Sequence, residues 1–142
     1  METNKSLPWP DGLKRSKPRI AVLDALGKET VPVTASALFE KIRSDDASIW
    51  LSSVYRALES FVEKGAVIKY MPTDSTMAVY EANRHIHKHY AVCVGCHEML
   101  PVDDCPLREM SDALSPERFH VTGHNLEIYG YCDKCFKKKK HG

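Results

Sequence analysis

Apolar residues recur at helical spacing in successive stretches of the N-terminal half, and the period then changes to two. From Pro18 to Leu26 the run IAVLDAL predicts a helix, with Ser16 as its cap and Gly27 ending it. Pro18 falls in the first turn, where its missing N–H costs nothing. After VPV, Thr34 is the expected N-cap of a second helix whose stripe is Leu38, Phe39 and Ile42, up to Arg43, and SDDAS makes a polar turn. A third helix is predicted from Leu51 to Lys64, burying Val54, Leu58, Phe61 and Val62, with Gly65 closing it and Ser52, Ser53, Tyr55 and Arg56 exposed in its first turns. The segments AVIKYM and MAVYEA, joined by the polar turn PTDST, then read as a two-stranded hairpin. Residues 1–12 lack periodicity and read as a flexible arm or short capping turn. Three helices followed by a hairpin describe a winged helix, whose third helix has the size to enter a major groove.

Beyond Glu81 the character changes, and ANRHI is the expected hinge between a domain over 1–82 and another over 83–142. An alternating run from Lys88 to Val94 predicts a strand, EMLPV a second, Asp103 to Leu114 a helix with Asp104 as cap, and FHVTGH with NLEIYGYC a final strand or hairpin. The class is α+β. A unit of about 60 residues buries little core, so a structural metal is the expected staple.

The chemistry of this second unit agrees. Cys93 and Cys96 form one Cys-x-x-Cys pair, and Cys132 and Cys135 another. Two such knuckles present four thiolates to one tetrahedral Zn2+, because each turn places both sulfurs on one side. Disulfides are the rival reading. Against them, no apolar run of the 142 residues approaches a bilayer span, and METNKSLPWPDG lacks the order of a signal peptide. A cytoplasmic location, with reduced thiols and no membrane partner, is therefore expected. His87 and His89 alternate along the predicted strand, so both rings face one side and can share a second ion. His85, His97, His120 and His141 read as surface rings, and Cys105 as either a ligand or a small buried apolar residue.

Net charge is only +1, but LKRSKPR and the four lysines at 137–140 concentrate basic residues. Arg15, Lys17 and Arg19 offer sequence-independent attraction to phosphate, and Ser52, Ser53, Tyr55 and Arg56 offer donors to phosphates and guanine edges. The blander reading of each is a solvated face, and of the lysine run a solubilising end. Cys96, His97 and Glu98 invite a zinc hydrolase or deaminase, yet the ligand order a deaminase requires is absent. An enzyme is not expected. A zinc-stapled interaction module without DNA binding is the alternative of another class.

The segments PRIAVLDAL, SSVYRAL, VYE, HKHYAVCVGC and VTGHNLEIYGYCDKC, in this order and spacing, resemble the ferric uptake regulator (Fur) family of bacterial metal-dependent repressors, from Leu13 to Cys135. The resemblance implies a winged helix-turn-helix DNA-binding domain followed by a small α/β dimerisation domain, and a homodimer that binds palindromic double-stranded DNA operators when metal-loaded. It implies Cys93, Cys96, Cys132 and Cys135 as structural zinc ligands, Tyr55 and Arg56 as operator contacts, and His87, His89 and His124 as a second metal site. The fourth ligand of that site is either Cys105 or Glu109. With Cys105 the set favours a second zinc over Fe2+, and hence the zinc-responsive branch over the iron- and peroxide-responsive ones. Pro32, Val33, Lys88 and Tyr90 stand where the family's hinge site takes ligands, leaving Glu81 and His85 as candidates for a different one.

Overall fold

The structure, a computed structural model, describes residues 7–72, 75–85, 88–102, 105, 117–121, 124 and 126–141. Two compact units, Met1–His85 and Ile86–Gly142, divide the chain.

In the first unit, helix α1 spans Lys17–Gly27, strand β1 Val33–Thr34, helix α2 Ala35–Asp45, helix α3 Leu51–Glu63, and strands β2 and β3 Val67–Tyr70 and Val79–Ala82. The first two helices start where side chains can cap them: Ser16 Oγ accepts from Arg19 N–H and Thr34 Oγ1 from Ala37 N–H. Helix α3 differs, because its N-cap is Trp50, which makes no side-chain cap hydrogen bond. Forgoing such a cap costs about 1 kcal/mol. The other end of α3 closes with Gly65 N–H donating to Val62 O at 3.0 Å and Ala66 N–H to Phe61 O at 2.9 Å. This paired closure needs a left-handed residue, and Gly65 supplies it at φ +78°.

Val22, Leu26, Leu38, Val54, Leu58 and Phe61 are the fully buried centre of the unit. They recur at 3.6-residue spacing on α1, α2 and α3, so burying one stripe of each helix against the others fixes the three-helix packing. Strands β2 and β3 pair antiparallel, from Val67 opposite Ala82 to Tyr70 opposite Val79.

Two features correct the sequence reading. The wing is three-stranded, in the order β1-β3-β2, with Val33 opposite Tyr80. A two-residue strand is too short to show a period. The arm is not loose over its described residues either: Leu7, Trp9 and Leu13 pack against the core, and Trp9 meets Phe61 edge-on at 5.5 Å while its Nε1–H donates to Leu13 O.

The second unit is built on strand β4, His89–Cys93, which pairs antiparallel with β5, Met99–Val102, and parallel with β6, Glu127–Gly130. His89, Tyr90, Val92 and Cys93 are all buried, as befits a central strand covered on both faces. The helix expected over Asp103 to Leu114 lies, Cys105 apart, outside the described residues. Helix α4, Asp133–His141, was not foreseen: it carries the four lysines, with Lys137 paired to Asp133 at 3.0 Å and Lys139 donating to the Tyr131 hydroxyl at 3.1 Å.

Candidate metal centres and nucleic-acid interface

Two clusters among the described residues bring metal-binding atoms together. Cys93 ends β4, Cys96 follows a tight turn, and Cys132 and Cys135 stand before and within the first turn of α4. Their four sulfurs all lie within 4.8 Å of one another. A tetrahedron with Zn–S bonds of about 2.3 Å has edges of about 3.8 Å, and Cys96 Sγ to Cys132 Sγ is 3.7 Å. The donor set therefore fits a tetrahedral ion.

Backbone geometry prepares the site. The amide N–H groups of Cys132, Gly95 and Cys96 reach Cys93 Sγ at 3.3, 3.4 and 3.5 Å. These donors, Cys132 first, lower the Cys93 thiol to about 6 against the opposing effect of burial. Cys135 is pushed up to about 12, first by the neighbouring Cys132 sulfur and then by Cys93. Without a cation the cluster cannot hold four thiolates, so binding an ion releases protons.

Gly95 was not singled out by its sequence. A Cβ there would lie 2.9 Å from Cys135 Sγ and 3.1 Å from its Cβ. Only a residue without a side chain leaves room for the second knuckle, so the Gly95→Ala variant is expected to hold a metal ion roughly 10-fold to 100-fold less tightly. Competition with a chromogenic chelator measures this.

The second cluster joins β4 to two distant residues. His89 Nε2 lies 3.2 Å from Cys105 Sγ and 3.0 Å from His124 Nε2, and Cys105 Sγ lies 3.2 Å from His124 Nε2. The two imidazoles stack at 5.0 Å between centroids. His89 is only 6% exposed although histidine is polar, and its Nε2 points at the other two donors. Three donors at these separations fit one face of a coordination tetrahedron. Cys105, open between ligand and small apolar residue in the sequence, thus stands among the ligand atoms. His87 and Glu109 lie outside the described residues. His85 is exposed, at φ 58°, and it is not in either cluster.

On the first unit, Ser52, Tyr55 and Arg56 are exposed on α3 and Ser53 is half-buried. The basic residues before and on α1 have local partners. Arg15 stacks over the Trp9 ring at 4.6 Å, and Arg19 donates to Lys14 O at 2.7 Å and to Ser60 Oγ at 3.4 Å. Lys17 pairs with Asp46 at 3.0 Å, and hydrogen bonds from Ser48 and then Lys17 lower that carboxyl to about 2. Their charge is therefore held in place and, for Lys17, partly neutralised.

A winged helix followed by a small sheet carrying a tetrathiolate cluster and an imidazole–thiolate cluster defines the class of metal-responsive DNA-binding regulators. The Ferric uptake regulator family model matches residues 10–129, and the chain belongs to that family. It is 30% identical over 140 residues to the ferric uptake regulation protein of Staphylococcus epidermidis, covering 97% of this chain and 99% of that one. The ferric uptake regulator of Vibrio cholerae superposes with a TM-score of 0.74 at 27% identity, over 85% of this chain and 93% of that one. That of Helicobacter pylori superposes with a TM-score of 0.77 at 20% identity, over 89% and 84%. Family members are metal-dependent, DNA-binding transcription regulators and not enzymes.

Proposed function

We propose that this protein is a zinc-sensing repressor of metal homeostasis genes that binds palindromic operators as a homodimer. The tetrathiolate cluster holds a structural zinc, and His89, Cys105 and His124 hold the sensed ion, with His87 as the fourth ligand. The observation that carries zinc is the Cys105 sulfur, 3.2 Å from each of two imidazole nitrogens. A mixed thiolate–imidazole set suits Zn2+, whereas oxygen-rich sets suit harder ions. Three of these donors come from separate segments of the second unit, so an ion there ties together parts of the chain that are far apart in sequence.

Exposed apolar side chains on the same unit, among them Leu100, Ile128, Tyr129 and Phe136, support self-association. A dimer in turn matches two recognition helices to successive half-sites. In this reading the ion binds more tightly to the arrangement of the two helices that fits DNA, and repression follows from that difference in affinity.

Arg56 and Tyr55 face the bases and phosphates, and Ser52 and Ser53 the backbone, with Arg15, Lys17 and Arg19 adding long-range attraction. Arg56→Ala is expected to weaken operator binding about tenfold with zinc content unchanged. Fluorescence anisotropy alongside metal analysis checks it, and unchanged affinity in both Arg56→Ala and Tyr55→Phe removes α3 from the interface. The same titration over a range of salt distinguishes a DNA reader, whose affinity falls steeply, from a zinc-stapled module without DNA binding.

A further inference from the structure

Trp50 breaks two local rules at once. It occupies the N-cap of α3, where a short polar side chain would accept a backbone N–H, and it makes no such bond. It is also 74% exposed, the largest value among the exposed large apolar side chains described, while Ile49 beside it is 4% exposed. The buried Ile49 anchors the chain, and Trp50 O receives Ser53 N–H at 3.0 Å and Val54 N–H at 3.2 Å. The backbone at this point is therefore fixed, and a rigid two-torsion indole projects from the leading end of α3. Residues that sacrifice local stability in this way are expected where function requires them.

That end of the helix is the part that meets base edges when a recognition helix enters a major groove. Ser52, Tyr55 and Arg56 follow within the next turns on exposed positions. Their hydroxyl and guanidinium groups read donors and acceptors. A thymine methyl group, the one apolar mark in the groove, is met by an apolar surface. Tyr55 offers a ring that is 40% exposed and ends in a hydroxyl, whereas Trp50 offers a larger ring, 74% exposed, at the leading end of the helix. We propose that Trp50 is a specificity-determining DNA contact that packs its ring on the 5-methyl edge of thymine in each half-site. The proposal rests on α3 being the DNA-reading helix.

The test uses the zinc-loaded full-length protein and a duplex selected with it from a random pool. Trp50→Ser restores a preferred cap, so the variant keeps its zinc and an equal or higher Tm. Its affinity for the selected duplex falls about tenfold. Replacing half-site thymines by uracil, which removes only the methyl groups, weakens the wild type and leaves Trp50→Ser nearly unaffected. Trp50→Phe retains part of the affinity, and the tryptophan fluorescence change on DNA binding is lost in Trp50→Ser. Equal affinities of wild type and Trp50→Ser overturn the proposal. So does an equal effect of uracil on both, or an unchanged affinity with a shifted sedimentation coefficient, which gives the ring to a protein contact. Failure of the zinc-loaded protein to enrich any duplex overturns the DNA-reading assignment of α3 along with it, whereas normal enrichment with an indifferent Trp50 leaves that assignment standing.

Discussion

Cys132→Ser is expected to release the ion proposed for the four sulfurs and to unfold the second unit while the winged helix stays folded. The size of the effect follows from what the ion holds together. Cys93 sits at the end of β4, paired with Gly130 of β6, and Cys132 and Cys135 belong to the start of α4. Strand, turn and helix converge on the four sulfurs, and the described core of this unit is only a few side chains, Tyr90, Val92 and Met99 among them. Tetrathiolate zinc sites of this kind contribute on the order of 10 kcal/mol to folding, more than a unit this small recovers by burial. Metal analysis together with amide hydrogen exchange reads the result: exchange becomes unprotected across β4, β5 and β6 and remains slow in α1 and α3. Chelation reproduces the variant.

Acid acts in the same direction. Two of the four sulfurs, those of Cys96 and Cys135, hold their protons more tightly when no ion is present, the Cys135 thiol being raised to about 12. The ion must displace those protons, so its affinity falls as pH drops from about 12, and falls more steeply below about 6, where Cys93 protonates as well.

On the proposed assignment, His89→Ala is expected to abolish metal-dependent operator binding without unfolding the protein. His89 Nε2 meets both Cys105 Sγ and His124 Nε2, and of these three described donors His89 is the buried one. Removing it leaves Cys105 and His124 as the described donors of the cluster, with His87 as the proposed third. The structural zinc, held by other residues, is untouched. The metal-induced gain in operator affinity falls by roughly 100-fold, the scale of a coupling free energy between sites, and the variant binds one ion fewer than the wild type. Anisotropy at saturating zinc and mass spectrometry of the native protein measure the two quantities. Retention of the full metal response places sensing elsewhere in the chain.

Much of the first unit is legible in the sequence because its determinants are local. The caps Ser16 and Thr34, the stripe of α3 and the left-handed Gly65 each act within one turn of helix, and each stands where the pattern puts it. The two knuckles are legible for the same reason, since a Cys-x-x-Cys turn contains its own geometry. What escapes is non-local or too short to show a period. Strand β1 exists because β3 offers an edge to two residues. Trp9 joins the core through Phe61, which is distant in sequence.

Helix α4 is the clearest case. Lysines at 137–140 repel one another and show no apolar stripe, so propensity and pattern both argue against an isolated helix. Cys132 and Cys135 tie its first turn to the sheet, and its lysines gain partners in Asp133 and Tyr131. The convergence of Cys105 and His124 on His89 depends likewise on how the sheet folds, so the sequence left Cys105 open. The local partners of Arg15, Lys17 and Arg19, namely Trp9, Asp46 and Lys14, are likewise set by the folded unit and not by the basic pattern.

The central claim is that a second ion, distinct from the structural one, switches DNA binding on. Fluorescence anisotropy with a selected operator across buffered free zinc, then ferrous iron, with bound metal counted per chain, tests it most directly. Tight binding that emerges only as zinc occupancy rises above a single ion per chain is the predicted result. Equal binding at a single zinc per chain, indifferent to added metal, would leave the structural site alone and contradict metal sensing by His89, Cys105 and His124.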